Sequence, residues 1–145
     1  MFSLQIKYLS FFFGLISILS FFNIIYSYYL NLYLNLDTYY FSLMISLIIS
    51  VLFYKIKTSE KKSSIFEKIL TVFFGYLLIP FVLSIPFYFS IYNLTFLDSY
   101  FESISGFTST GFTIFENIKH IDQSLILWRS TTQWIGGLYF LFSII

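Results

Sequence analysis

The chain has 145 residues, 58% of them hydrophobic, 25% aromatic and only 10% charged, with a formal net charge of +1 and a mean hydropathy of +0.83. That balance excludes most water-soluble domains and predicts an all-α, polytopic protein whose first partner is the lipid bilayer. The near-neutral charge argues against a nucleic-acid partner, and the absence of cysteine removes disulfides and thiolate metal sites.

Tyr8 to Leu30 carries no charge and is long enough to cross a hydrocarbon core of about 30 Å at about 1.5 Å per residue. A secretory signal peptide would be shorter and would end in a small-x-small cleavage site, which does not follow here. A second span covers about 39–56, so residues 1–58 read as two leading transmembrane helices. Tyr26, Tyr28, Tyr29, Tyr39 and Tyr40 flank their connection, as in an interfacial aromatic belt.

The basic connection follows, 59–68 with its flanks: Lys55, Lys57, Lys61, Lys62 and Lys68 against Glu60 and Glu67. The positive-inside rule makes it cytoplasmic, together with the N-terminus near Lys7. The opposite side then holds Asp37, Asp98, Glu102, Glu116 and Asp122 against Lys119 and Arg129. Such an acidic surround concentrates cations, although for Glu116 and Asp122 a merely solvated face explains the charge as well.

Residues 69–145 read as one unit of membrane helix, short helix, loop and membrane helix. The first helix, about 69–92, contains Pro80 and Pro86, which free carbonyls and bend it; the bend either shapes a wall around the loop or is an ordinary kink. Asn93-Leu94-Thr95 matches a glycosylation acceptor pattern, which would mean nothing if the protein were bacterial. Residues 98–107 form about three turns of helix, with Asp98 as N-cap, an apolar stripe of Tyr100, Phe101, Ile104 and Phe107, and an end near Gly106.

Thr108-Ser109-Thr110-Gly111-Phe112-Thr113 then sets hydroxyls and a glycine between apolar segments. A re-entrant loop that offers carbonyl and hydroxyl oxygens to a dehydrated cation uses these residue types, and the negative end of the preceding helix dipole would face the same ion. Residues 114–124 form a polar connection whose lone His120 has no ligand partner at useful spacing and receives no role. In the last helix, about 125–145, Arg129, Thr132, Gln133, Gly136 and Phe140 share a face that lipid would not accommodate. Two readings of Arg129 stand: it pairs with Glu102 while Gln133 hydrogen-bonds loop backbone, or it snorkels alone to the headgroups. Gly136-Gly137 permits close helix contact.

The order DSYFESISGFTSTGFT, a polar connection, then LWRSTTQWIGG resembles the first pore repeat of the Trk/Ktr-type bacterial potassium uptake transporters, over roughly Glu67 to Gly137. The resemblance implies four such repeats around a central filter, potassium as the transported ion, a bacterial inner-membrane location and no other cofactor. It implies further that Gly111 is the filter glycine, that Thr108, Ser109, Thr110, Gly111 and Phe112 bind the ion, with Thr110 and Gly111 contributing carbonyls to potassium, and that Glu102, Arg129 and Gln133 support them. A cytosolic nucleotide-binding regulatory subunit is an implied partner, and the basic connection lies on the side to meet it.

The sequence departs from that pattern after Gly137, where Leu138-Tyr139-Phe140-Leu141-Phe142 is bulkier than the family's continuation. One pore loop is present, and a single loop cannot encircle an ion. The remaining repeats must come from the same or other chains, which makes an N-terminal fragment the first expectation, ahead of a subunit that assembles with others or an inactive remnant. No HExxH, GxSxG or phosphate-binding glycine loop supports an enzyme. The rival is a small membrane scaffold in which the polar loop only packs helices.

Overall fold

The computed structural model describes residues 6–56 and 64–144. Every regular element among them is helical: α1 (Ile6–Tyr29), α2 (Leu36–Lys55), α3 (Ile65–Leu83), α4 (Ile85–Tyr88), α5 (Phe96–Phe107) and α6 (Gln123–Ile144), with a single 3-10 turn over Ile118–His120. Among the described residues, three stretches are long and apolar enough to cross a membrane: α1, α2 and α3 continued through α4. The expected last span, α6, has 22 residues, yet the polar run from Arg129 to Gln133 makes it less apolar than those three. The fold is that of an all-α, multi-pass membrane protein. Of the basic connection, Lys57, Glu60, Lys61 and Lys62 lie outside the described residues.

The leading helices form the most extensive pair in the molecule, and their seam is made of serines. Ser10 Oγ donates to the Ser50 carbonyl at 2.8 Å and Ser50 Oγ donates back to the Ser10 carbonyl at 2.9 Å. Ser20 Oγ reaches Ser42 Oγ at 3.2 Å farther along. Small side chains let the backbones approach, which is how helices associate where lipid removes the hydrophobic drive.

The start of α3 lies four residues before the expected position 69 because Ser64 and Glu67 close a capping box, Glu67 N–H to Ser64 Oγ at 3.2 Å and Ser64 N–H to Glu67 Oε2 at 3.1 Å. At its other end the expected single helix over 69–92 is broken at Ser84, ahead of Pro86. Side chains from elsewhere take carbonyls around the prolines: Ser103 Oγ donates to Pro80 O at 2.8 Å and Trp128 Nε1 to Leu83 O at 3.0 Å. The bend therefore docks both α5 and α6.

Two corrections concern α5. Its N-cap is Thr95, whose Oγ1 accepts from Asp98 N–H at 3.2 Å and donates to Asp98 Oδ2 at 2.6 Å, so Asp98 lies inside the first turn. Its buried face is Ser99, Glu102, Ser103 and Gly106, with only Phe107 taken from the expected apolar stripe, while Phe101 is exposed. In a bilayer the small and polar face finds protein and the apolar face finds lipid, the inverse of a water-soluble helix.

Candidate functional site

The site begins where α5 stops. Thr108 is the C-cap, and Ser109, at φ 56°, takes the left-handed position that usually falls to glycine. Ser109 N–H donates to Gly106 O at 2.9 Å and Thr110 N–H to Ser105 O at 3.1 Å, the paired bonds of a Schellman stop. Ser105 then ties the loop down, its Oγ donating to Phe112 O at 2.6 Å and meeting Thr110 Oγ1 at 3.1 Å. Gly111 is also left-handed, at φ 81°, and nothing lies within 4 Å of where a Cβ would stand. Its glycine serves backbone conformation, not room.

Glu102 and Arg129 hold the loop from outside. Glu102 is fully buried and accepts from three groups: Arg129 Nε at 2.5 Å, Thr113 Oγ1 at 3.1 Å from each carboxylate oxygen, and Ile114 N–H at 3.1 Å. Arg129 Nη2 goes on to donate to the carbonyls of Gly111 and Phe112, both at 3.3 Å. The Arg129 side chain is 14% exposed, so it is paired and enclosed and does not snorkel alone. One guanidinium thereby neutralises a buried carboxylate and orients two loop carbonyls.

Gln133 is not part of that arrangement. It makes no hydrogen bond to the loop and lies half-buried beside Ser130 and Trp134 on an outward groove of α6. The face of α6 that meets the protein consists of Leu125, Trp128, Thr132, Ile135, Gly136 and Tyr139; Phe140, expected on it, is exposed. Trp128 and Tyr139 set this rotation, because their polar tips reach α3 carbonyls, Tyr139 Oη donating to Val72 O at 3.1 Å. Of the two glycines only Gly136 is at a contact: a Cβ there would fall on the Phe107 carbonyl, whereas one on Gly137 would meet nothing within 4 Å.

Among the described residues, no hydrogen-bond donor reaches the carbonyls of Thr108, Ser109 and Thr110, and all three residues are exposed. A cleft of about 400 Å³ opens beneath them, lined by Tyr76, Phe107, Thr108, Ser109, Gly136 and Phe140. The end of the α5 dipole adds partial negative charge at the same place. Carbonyl oxygens without a donor are the ligand type that a dehydrated cation takes. Sequence reasoning missed Thr95, Ser105 and Trp128, and it placed Thr113 in the loop without its bond to Glu102. The Thr95-x-x-Asp98 spacing is a readable capping signal, but the other three act through tertiary contacts that no local pattern marks.

Fold and site together define a multi-pass helical membrane protein with a structured polar loop that presents oxygens. The chain is 30% identical over 126 residues to an uncharacterized cation transporter of Methanocaldococcus jannaschii, a match covering 86% of this chain and 26% of that protein. It is 41% identical over 46 residues to the Trk system potassium uptake protein TrkG of Escherichia coli, covering 32% of this chain and 10% of the relative. The Trk system potassium uptake protein TrkI of Halomonas elongata is 38% identical over 60 residues, 41% of this chain and 11% of its own length. Over part of its length the chain is similar to Trk potassium uptake proteins, and it spans about a quarter or less of the length of these relatives. No family model and no solved structure matches it.

Proposed function

We propose that the chain contributes one pore unit to a potassium transporter, with 108–112 as one of four filter loops around the ion path. The observation that carries this reading is the division of labour among loop oxygens. Gly111 O and Phe112 O are held by Arg129, while the carbonyls of Thr108, Ser109 and Thr110 have no donor and face open space at the end of a helix dipole. In the assembled pore the last three are the primary ligands, with Thr110 next to the ion, and Gly111 contributes through its left-handed backbone. Phe112, whose carbonyl also accepts from Ser105, is structural. α5 and the loop form a re-entrant unit that enters from the outer side, the N-terminus is cytoplasmic, and the location is the cell membrane. The remaining loops come from further repeats of the same or other chains, because a single loop leaves the ion unenclosed. Similarity to potassium uptake proteins and a cation transporter supports the ion class.

The test is growth at low potassium of a bacterium stripped of its uptake systems, with this chain produced alone and joined to the coding sequence that follows it. The joined form is expected to rescue growth, and Gly111→Ser within it is expected to abolish rescue or admit sodium. Rescue that persists unchanged in Gly111→Ser and in Glu102→Gln would favour the scaffold, in which the loop only packs helices.

A further inference from the structure

Asn35, in the connection that opens α2, is 1% exposed and has both ends of its side chain engaged. Its Nδ2 donates to Asp122 Oδ2 at 2.9 Å, and its Oδ1 accepts from Ile91 N–H at 3.1 Å. These two contacts lie on opposite sides of the loop in sequence. Asp122 opens α6, accepting at its carbonyl from Leu125 and Ile126 N–H, and α6 carries Arg129. Ile91 lies in the short connection that leads into α5, which carries Glu102.

The contact is embedded in a network. Ser124 Oγ donates to the same Asp122 oxygen at 2.6 Å, Tyr39 Oη lies 2.9 Å from Ser124 Oγ, and Asp122 N–H donates to Tyr92 Oη at 2.7 Å. Tyr39 and Ser124 are fully buried. A backbone N–H can only donate and a carboxylate can only accept, so the amide of Asn35 fits in one orientation alone.

We propose that Asn35 is a positioning residue through which the leading helix pair fixes the distance between the roots of α5 and α6, and so the placement of Glu102, Arg129 and the loop they hold. The leading helices then act on the loop at a distance instead of serving only as anchors. This concerns where the loop sits and not which ion it meets.

The chain has no cysteine, so a single Phe112→Cys reports the loop through its labelling rate with a water-soluble maleimide, on the full chain in nanodiscs. Asn35→Asp sets two carboxylates against each other and is expected to change that rate about three- to tenfold, the factor by which losing one net hydrogen bond shifts an equilibrium. Adding Asp122→Asn exchanges donor and acceptor, keeps the bond from Ile91, lets Ser124 Oγ accept from the new Nδ2 and donate to Tyr39 Oη instead, and is expected to return the rate to that of the parent. If Asn35→Asp alone fails to accumulate, recovery of both amount and rate in the double variant is the supporting result. An unchanged rate in Asn35→Asp, or a double variant no nearer the parent than the single, overturns the proposal.

Discussion

Ser109 takes a backbone conformation that costs an L-residue about 1 kcal/mol and a glycine almost nothing. Ser109→Gly is therefore expected to stabilise the isolated chain by about 1 kcal/mol, and Gly111→Ala to destabilise it by about 1–2 kcal/mol through φ alone, since no neighbour blocks the methyl group. Thermal unfolding in detergent measures both. If Ser109→Gly gains stability and loses transport in the joined protein, the serine is kept for its hydroxyl or its fixed geometry. The ion pair makes a second test at this scale. Removing one partner strands a buried charge, so Glu102→Gln and Arg129→Gln should each cost about 3 kcal/mol, and together far less than the sum. Additive losses would mean that the pair is not a unit. Adjacent glycines supply a third: Gly136→Ala should cost about 1–3 kcal/mol or more by forcing α6 off the Phe107 carbonyl, and Gly137→Ala should stay within about 0.5 kcal/mol of the parent.

At the scale of elements, the long uncharged runs read easily, because length and hydropathy are local properties. α1, α2 and the glycine-bearing loop follow from them. The orientation of α5 and α6 does not. An apolar stripe of Tyr100, Phe101 and Ile104 looks like a core face by the rule for soluble proteins, yet the structure buries Ser99, Glu102 and Ser103 and leaves Phe101 exposed. Lipid is as apolar as phenylalanine, so only hydrogen bonds and close approach distinguish the protein-facing side. Gln133 misled for the same reason: its spacing from Arg129 placed it on one helical face, but Trp128 and Tyr139 decide the rotation by bonding to α3 carbonyls. The Glu102 to Arg129 pairing could be posed from the sequence, because a charge inside a membrane helix needs a partner. That the same arginine holds Gly111 O and Phe112 O could not, since it depends on how the Schellman stop aims the loop.

At the scale of the whole molecule, the chain divides into a serine-seamed hairpin and a unit of α3 to α6 built around a bent helix. Trp128, Ser103 and Tyr100 all donate to carbonyls of α3, at Leu83, Pro80 and Leu77 respectively, so that helix is the post on which the loop's two supports hang. Substituting Trp128 by Phe keeps an aromatic side chain but removes the donor together with the five-membered half of the indole. Leu83 O then loses a buried partner, and a cost of about 1–3 kcal/mol is expected in the same unfolding measurement. Tyr8 Oη, donating to Tyr139 O at 3.3 Å, and, at the opposite end, Tyr39 Oη against Ser124 Oγ and Asn35 against Asp122 are polar ties between the hairpin and α6 with its root.

The hairpin seam has a consequence for biogenesis. Its serine bonds join residues 22 to 40 positions apart in sequence, and each is made wholly within α1 and α2. Contacts that close short loops form early, and translation delivers these two helices before any of the others. The hairpin is thus complete while the loop-bearing unit is still being synthesised. It stands in the bilayer as a finished surface, and both ends of the Asn35 side chain find their partners only when the chain has reached Asp122.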